Sequence, residues 1–385
     1  MGFASKKLGE ALLLFSLVTS VVAATLPNDG NPNSVNATLV KADKKAVCLL
    51  GNPAAYFYAP GYGNGIENWI IYLPGGGWCR NVSDCEDYIV NKGVGSNPGP
   101  FNFDGFGILS PNKEQNPGFY DWNRVFVRYC DASSWTSNSQ ALTANGTKLY
   151  FRGKRIFKAV MKELLHKGMR SAKNALLVGS SAGGVATTIY CDKFRSYFPA
   201  TSTVKCFSDG AYFFLPKNRT EENTFLLMFK GLVKLHKSGS VLPKSCRRRL
   251  SAELCFFPPN LEEDITTPMF FLMSAFDRVQ ILYTLSIDLA GCVPLKNCTS
   301  NQIEASRELG SELLTVLPTQ NKGYLITAPF AHTQADQSTW NTFPAAQTNE
   351  TIAGLFGDWY FGRKSVEIID KNPGPYQYPT SRSGA

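Results

Sequence analysis

Short β-branched or aromatic runs alternate along this chain with longer segments whose apolar positions recur every three or four residues. Such alternation builds a largely parallel sheet flanked by helices. Strands are expected at 68–74 (NWIIYLP), 124–130 (RVFVRYC), 175–180 (ALLVGS), 269–277 (MFFLMSAFD) and 324–329 (YLITAP). Helices are expected at 147–167, 182–197 and 301–317; in the first, Ile156, Val160 and Leu164 form one apolar row and Gly168 supplies a stop. No internal repeat interrupts the pattern. The fold class read from it is α/β, with a mainly parallel central sheet, flanking helices and long insertions, in a single domain over 45–371.

The two ends depart from that pattern. Residues 1–24 place Lys6 and Lys7 ahead of the apolar run ALLLFSLVTSVVA and finish on Ala23 and Ala24, the layout of a cleaved secretory signal. The run is short for a bilayer span, and no later stretch is long and apolar enough to cross, so the mature chain is expected to carry no stable membrane span. Residues 25–44, polar and rich in Asn, read as a flexible leader, and 372–385 (NPGPYQYPTSRSGA) as a disordered tail.

Export changes how the remaining composition is read. Sequons for N-glycosylation begin at Asn36, Asn81, Asn145, Asn218, Asn297 and Asn349, as surface loops of an exported glycoprotein would supply. All 10 cysteines lie beyond the signal, and an even number in an oxidising compartment points to disulfides. Cys79/Cys85, Cys246/Cys255 and Cys292/Cys298 could close short loops, although spacing does not fix connectivity. With 3 histidines and no Cys-x-x-Cys, a structural zinc site is not expected. The net charge of +9 suits a polyanionic partner, and secretion shifts that partner from nucleic acid to an acidic polysaccharide. The densest basic cluster, KSCRRRL at 244–250, is equally well explained as a solvated loop.

Chemistry enters at LLVGSSAGGVA, residues 176–186, where a buried-type strand meets a helix through Gly179-Ser180-Ser181-Ala182-Gly183. That is a Gly-x-Ser-x-Gly elbow, whose small neighbours let the chain turn sharply enough to present the middle serine, Ser181, above the sheet. A serine hydroxyl needs a histidine to take its proton, and the histidine needs a carboxylate to hold its tautomer. The chain order in this arrangement is serine, acid, histidine. His166 and His236 sit among lysines and precede any suitable acid, so both read as solvated surface residues, and His332 in PFAHTQADQ becomes the candidate base. Asp277, ending a strand, is the preferred acid, with Asp288 as runner-up and Asp264 placed before the strand. For the oxyanion, Gly75, Gly76 and Gly77 follow an early strand with no side chains to block the approach of a substrate, and the Ala182 amide is the usual second donor.

These residues, with AVCLLGNPAAYFY, DWNRVFVRYCD, CFSDGAYFF and AHTQ in order over about residues 40–365, resemble the plant pectin acetylesterase family, relatives of the animal carboxylesterase Notum. The resemblance implies an α/β-hydrolase-like fold with long disulfide-bonded insertions and a catalytic set of Ser181, Asp277 and His332. It also implies an oxyanion hole from Gly76, Gly77 or Trp78 with Ala182. The implied activity is release of acetate from O-acetylated galacturonan in the cell wall, without metal or organic cofactor; the N-terminal signal makes the expected protein a secreted one, and a monomer is the default. Three departures stand out: Pro74 replaces a glutamate ahead of the glycines, Tyr324, Pro329 and Thr333 stand where cysteines flank Ala-His, and Ala132 takes a glycine position. Loss of that disulfide support predicts a looser His332 loop. Two alternatives follow: a Notum-like deacylase of lipidated protein, requiring a long apolar pocket, and a wall-binding protein with an idle hydrolase site.

Overall fold

The computed structural model describes residues 33–94, 98–217, 223–285, 298–318, 322–342, 344–371 and 374. Nine strands form its central sheet: β1 (Thr38–Leu39), β2 (Ala55–Ala59), β3 (Asn68–Leu73), β4 (Asn123–Val127), β5 (Asn174–Ser180), β6 (Thr203–Asp209), β7 (Met269–Ser274), β8 (Lys322–Thr327) and β9 (Glu367–Ile369). Their spatial order is 1-2-4-3-5-6-7-8-9. β2 runs antiparallel to both β1 and β4, and every other neighbouring pair is parallel. All five strands expected from sequence are present, each within three residues of its expected ends.

Alternate residues of each strand feed two cores, which is why the central strands read as continuous apolar runs. Trp69, Ile71 and Leu177 face a layer built with Ile156, Val160 and Leu164 of α2 (Gly153–His166) and Val185 and Phe194 of α3 (Ala182–Arg195). Ile70, Tyr72, Leu176 and Val178 face the opposite layer, where α8 (Ile352–Tyr360) contributes Leu355 and Phe356. Further helices among the described residues are α1 (Val82–Lys92), α4 (Thr224–Lys234), α5 (Lys244–Arg249), α6 (Arg278–Leu285) and α7 (Ser300–Leu313), with a single turn at Pro258–Leu261.

Two expectations need correction, and one central strand lies outside those expected. Residues 148–151, expected to be helical, pair instead with 139–142 as an antiparallel hairpin. Leu149 and Phe151 alternate with exposed or half-buried neighbours, and the Asn145-Gly146 turn, with Gly146 at φ 84°, closes the hairpin. Helix α2 then starts at Gly153, where a Cβ would lie 2.0 Å from Asp131 Oδ2. Residues 33–44, read as part of a flexible leader, contain β1 and a two-residue strand, Ser34–Val35, paired with Phe101–Asn102. The strand β6 escaped notice because Lys205 interrupts its apolar run; its ammonium group reaches out to the carbonyls of Trp359 and Tyr360.

Disulfides join Cys48 to Cys130, Cys79 to Cys85, Cys191 to Cys206 and Cys246 to Cys255. Cys298 is also disulfide-bonded, and Cys292, the partner its spacing offered, lies outside the described residues, as do the expected signal and nearly all of the expected tail. Among the described residues no helix is long and apolar enough to cross a membrane.

Candidate active site

The elbow is built by steric necessity at its two glycines. A Cβ on Gly179 would sit 2.2 Å from Gly183 O, and one on Gly183 would sit 1.8 Å from Leu73 O. Only glycine lets β5 and α3 approach each other and the end of β3 this closely. Ser181 between them adopts φ 53° and ψ −123°, a conformation that costs a non-glycine residue about 1–3 kcal/mol and needs the surroundings to enforce it. Those surroundings include the bond from Ser181 N to Asp209 O at 2.9 Å. The serine is 8% exposed, at the N-terminus of α3.

Asp277 lies three residues beyond the end of β7 and caps α6. Its Oδ1 accepts from the N–H groups of Val279 at 2.8 Å and Gln280 at 2.9 Å. Its Oδ2 meets His332 Nδ1 at 2.8 Å, and both side chains are about nine-tenths buried. A carboxylate so held keeps the proton on Nδ1 and leaves the Nε2 lone pair free to act as a base. The three candidate residues therefore sit beyond the C-terminal ends of β5, β7 and β8, on one edge of the sheet. The loop carrying His332 rests on β6: a Cβ on Gly210 would lie 2.2 Å from His332 O, one residue after the carbonyl that holds Ser181 N. Ser181 Oγ carries no hydrogen bond among the described residues.

The glycine loop closes the other side. A Cβ on Gly75 would be 2.7 Å from Ser181 Cβ, so the loop lies directly against the serine. Gly76 and Gly77 adopt φ 154° and 77°, and the amides of Gly76, Gly77, Trp78 and Ala182 have no acceptor among the described residues. Free amides around a nucleophile are what an oxyanion requires. Tyr129 and Ser134 hold the loop from beneath. Tyr129 OH donates to Gly77 O at 2.8 Å, Ser134 N donates to Tyr129 OH at 3.0 Å, and Trp78 Nε1 donates to Ser134 Oγ at 2.8 Å. Trp78 packs edge-on against Phe213, Phe225 and Phe229, with centroids 5.9, 6.3 and 5.5 Å away. Phe213 in turn stacks beside His332, at 6.2 Å.

The remaining histidines and acids separate cleanly. His166 is exposed on α2, and Asp264 is bound to Arg249 at the opposite end of β7. Asp288 lies outside the described residues. His236 corrects the sequence reading: it is fully buried, with Nε2 donating to Cys79 O at 2.7 Å and its ring 4.2 Å from that of Phe151. Burial pushes its pKa down to about 4. The nearby Cys79 and Cys85 are joined as a disulfide, so this group of three offers no thiolate to a metal.

The His332 loop, expected to be looser for want of disulfide support, has noncovalent ties. Ser274 Oγ donates to Pro329 O, Arg278 N to Ala331 O at 3.3 Å, and Ile108 N to Ala335 O at 2.8 Å. Sequence reasoning also missed a buried polar group beneath the site. Asp209, Ser180, Tyr72 and Asp336 are connected by hydrogen bonds. A signal was present in CFSDGAYFF, where an acid ends an apolar run immediately before a glycine.

Over residues 29–382 the chain matches the family described as Pectinacetylesterase. It belongs to that family. The family's Arabidopsis thaliana member pectin acetylesterase 7 is 37% identical over 88% of this chain and 89% of its own length, and pectin acetylesterase 5 is 37% identical over 86% and 81%. The human palmitoleoyl-protein carboxylesterase NOTUM is 28% identical over 61% of this chain and 49% of its own length. Among solved structures, the Wnt deacylase Notum from Drosophila superposes with a TM-score of 0.74 at 22% identity, covering 89% of this chain and 97% of its own. The fold is thus α/β-hydrolase-like, as expected from the sequence, and the pectinacetylesterase family makes the chain a carboxylic ester hydrolase.

Proposed function

We propose that the chain is a secreted serine esterase that removes acetyl groups from O-acetylated galacturonan. The observation that carries this reading is the Asp277–His332 pair, at 2.8 Å, on the same edge as the Ser181 elbow in a chain of the pectinacetylesterase family. Ser181 Oγ attacks the acetyl carbonyl while His332 Nε2 takes its proton, and Asp277 stabilises the imidazolium. Amides of Gly76 or Gly77, Trp78 and Ala182 receive the oxyanion. The sugar hydroxyl leaves with the proton from His332. Water, activated by the same imidazole, then releases acetate from Ser181. No step needs a metal or an organic cofactor.

Trp78, with Phe213, Phe225 and Phe229 packed against it, offers an apolar wall beside the glycine loop for the methyl of an acetyl group. A net charge of +9 suits a polyuronate, and the sequon asparagines within the described residues, Asn36, Asn81, Asn145 and Asn349, are all exposed, as glycan attachment requires.

The test is acetate release from acetylated pectin by protein exported from an oxidising, glycosylating host. Wild type is expected to release acetate, and Ser181→Ala to fall by roughly 10³-fold or more. Equal rates for the two would overturn the nucleophile assignment. Faster turnover of long-chain than of acetyl aryl esters would overturn the substrate assignment in favour of a lipid deacylase.

A further inference from the structure

Beneath the site, β6 ends on an acid whose carboxyl makes no hydrogen bond to the three candidate catalytic side chains among the described residues. Asp209 is fully buried, and its Oδ2 accepts from the N–H groups of Gln334 and Ala335, both at 2.9 Å, and from Ser180 Oγ at 3.4 Å. Its Oδ1 has no hydrogen-bond partner among the described residues. Ser180 Oγ is bonded also to Tyr72 OH, which donates to Asp336 Oδ2 at 3.1 Å. One carboxyl thus links the residue before Ser181 to the two amides that follow His332 by two and three positions.

A buried carboxyl is expensive, and a well-packed apolar residue would stabilise the fold at least as well. What an apolar residue cannot do is gather two successive backbone amides onto a single oxygen. That convergence fixes both the height and the rotation of the loop. The main chain of Asp209 and Gly210 completes the support, because Asp209 O holds Ser181 N and Gly210 passes directly beneath His332 O. We propose that Asp209 is a positioning residue for the general base, its side chain setting the 331–336 loop so that His332 meets Ser181 in register. The inference rests on the esterase reading of that triad. Burial, and then the charge of Asp336, hold the Asp209 carboxyl well above the ordinary carboxylate range. A neutral asparagine is therefore a close replacement.

The experiment compares Asp209→Asn and Asp209→Ala with wild type and Ser181→Ala on an acetyl ester. Asp209→Asn keeps an acceptor oxygen and is expected to retain kcat within about threefold. Asp209→Ala frees the loop, and a base displaced by about 1 Å costs on the order of a hundredfold in kcat. KM should stay within about twofold, and the acidic limb of the kcat/KM profile, which reports the base, should move. Should the alanine protein fail to fold, Asp209→Ser, whose hydroxyl cannot span to both amides, is judged by the same split. Folded alanine or serine protein with kcat within threefold of wild type would overturn the proposal. So would equal losses in Asp209→Asn and Asp209→Ala with an unmoved acidic limb, since that marks a merely structural role. An active Ser181→Ala protein would instead bring down the triad reading itself, which keeps the two failures apart.

Discussion

At the scale of single residues, the site depends on groups that are missing as much as on groups that are present. The obstacle to a Cβ on Gly183 is the backbone oxygen of Leu73, 1.8 Å away, which no rotamer change can relieve. Gly183→Ala is therefore expected to destabilise the protein by about 3 kcal/mol or more, read as a lowered urea midpoint. Gly77→Ala meets open space and pays only for φ 77°, about 1 kcal/mol. A Gly183→Ala protein as stable as Gly77→Ala would contradict the packing described at the elbow. The same contrast explains what the sequence revealed. Ser181, Asp277 and His332 could be named as a candidate set because a turn motif and a fixed chain order narrow the choices. The burial and partners of Asp209 and His236 were not legible, because they arise from what tertiary packing lays over them, and local sequence around His236 is rich in lysine.

At the scale of elements, the segment 129–137 is the bed on which the glycine loop lies. Ala132, Ser134 and Trp135 all adopt positive φ, from 49° to 55°, and all are fully buried. The glycine expected from the family at 132 is thus a conformational requirement that Ala132 meets under strain. Two buried titratable groups flank this bed with opposite consequences. Asp131, bonded to Ser133 and Ser137, is pushed up to about 6 by burial, whereas His236, beneath Cys79, is pushed down to about 4. For His236 the folded state disfavours the proton, so its contribution is complete above the unfolded pKa of 6.5 and is lost as pH falls toward 4. For Asp131 the folded state favours the proton, so its contribution is present below 3.8 and is lost as pH rises through 6. Each is worth about 3 kcal/mol over its window. The stability of wild type minus His236→Gln should rise with pH between about 4 and 6.5, and wild type minus Asp131→Asn should fall between about 3.8 and 6. Chemical denaturation at a series of pH values checks both slopes, and two slopes of the same sign would refute the assignment. The hairpin at 139–151 shows why elements here were only partly legible: an amphipathic strand and the first turn of an amphipathic helix share too few residues to be told apart.

Across the whole molecule, the disulfides differ in what they constrain. Cys48–Cys130 closes a span of 82 residues, whereas Cys79–Cys85 closes 6. By loop entropy the first stabilises by about 4 kcal/mol and the second by about 2. Replacing Cys48 and Cys130 by serine should therefore lower the unfolding midpoint more. Replacing Cys79 and Cys85 should reduce esterase activity more, because that bridge anchors the chain directly after Trp78. Thermal melts and initial rates on the two double variants test this, and the reverse ranking in both would count against it. The global architecture was legible as a class, since apolar runs alternating with helical periodicity permit little else. The reversal that places β4 outside β3 and turns β2 against it was not, because pairing order depends on contacts between distant residues.

That strand order also has a consequence in time. The serine, the acid and the histidine are delivered in sequence by β5, β7 and β8, and β8 can dock only after β7 is in place. During synthesis the candidate nucleophile therefore emerges well before its candidate base, since Ser181 and His332 lie far apart along the chain. A polypeptide stopped short of His332 is consequently expected to lack esterase activity even where the elbow has folded, because the serine then has no base to take its proton.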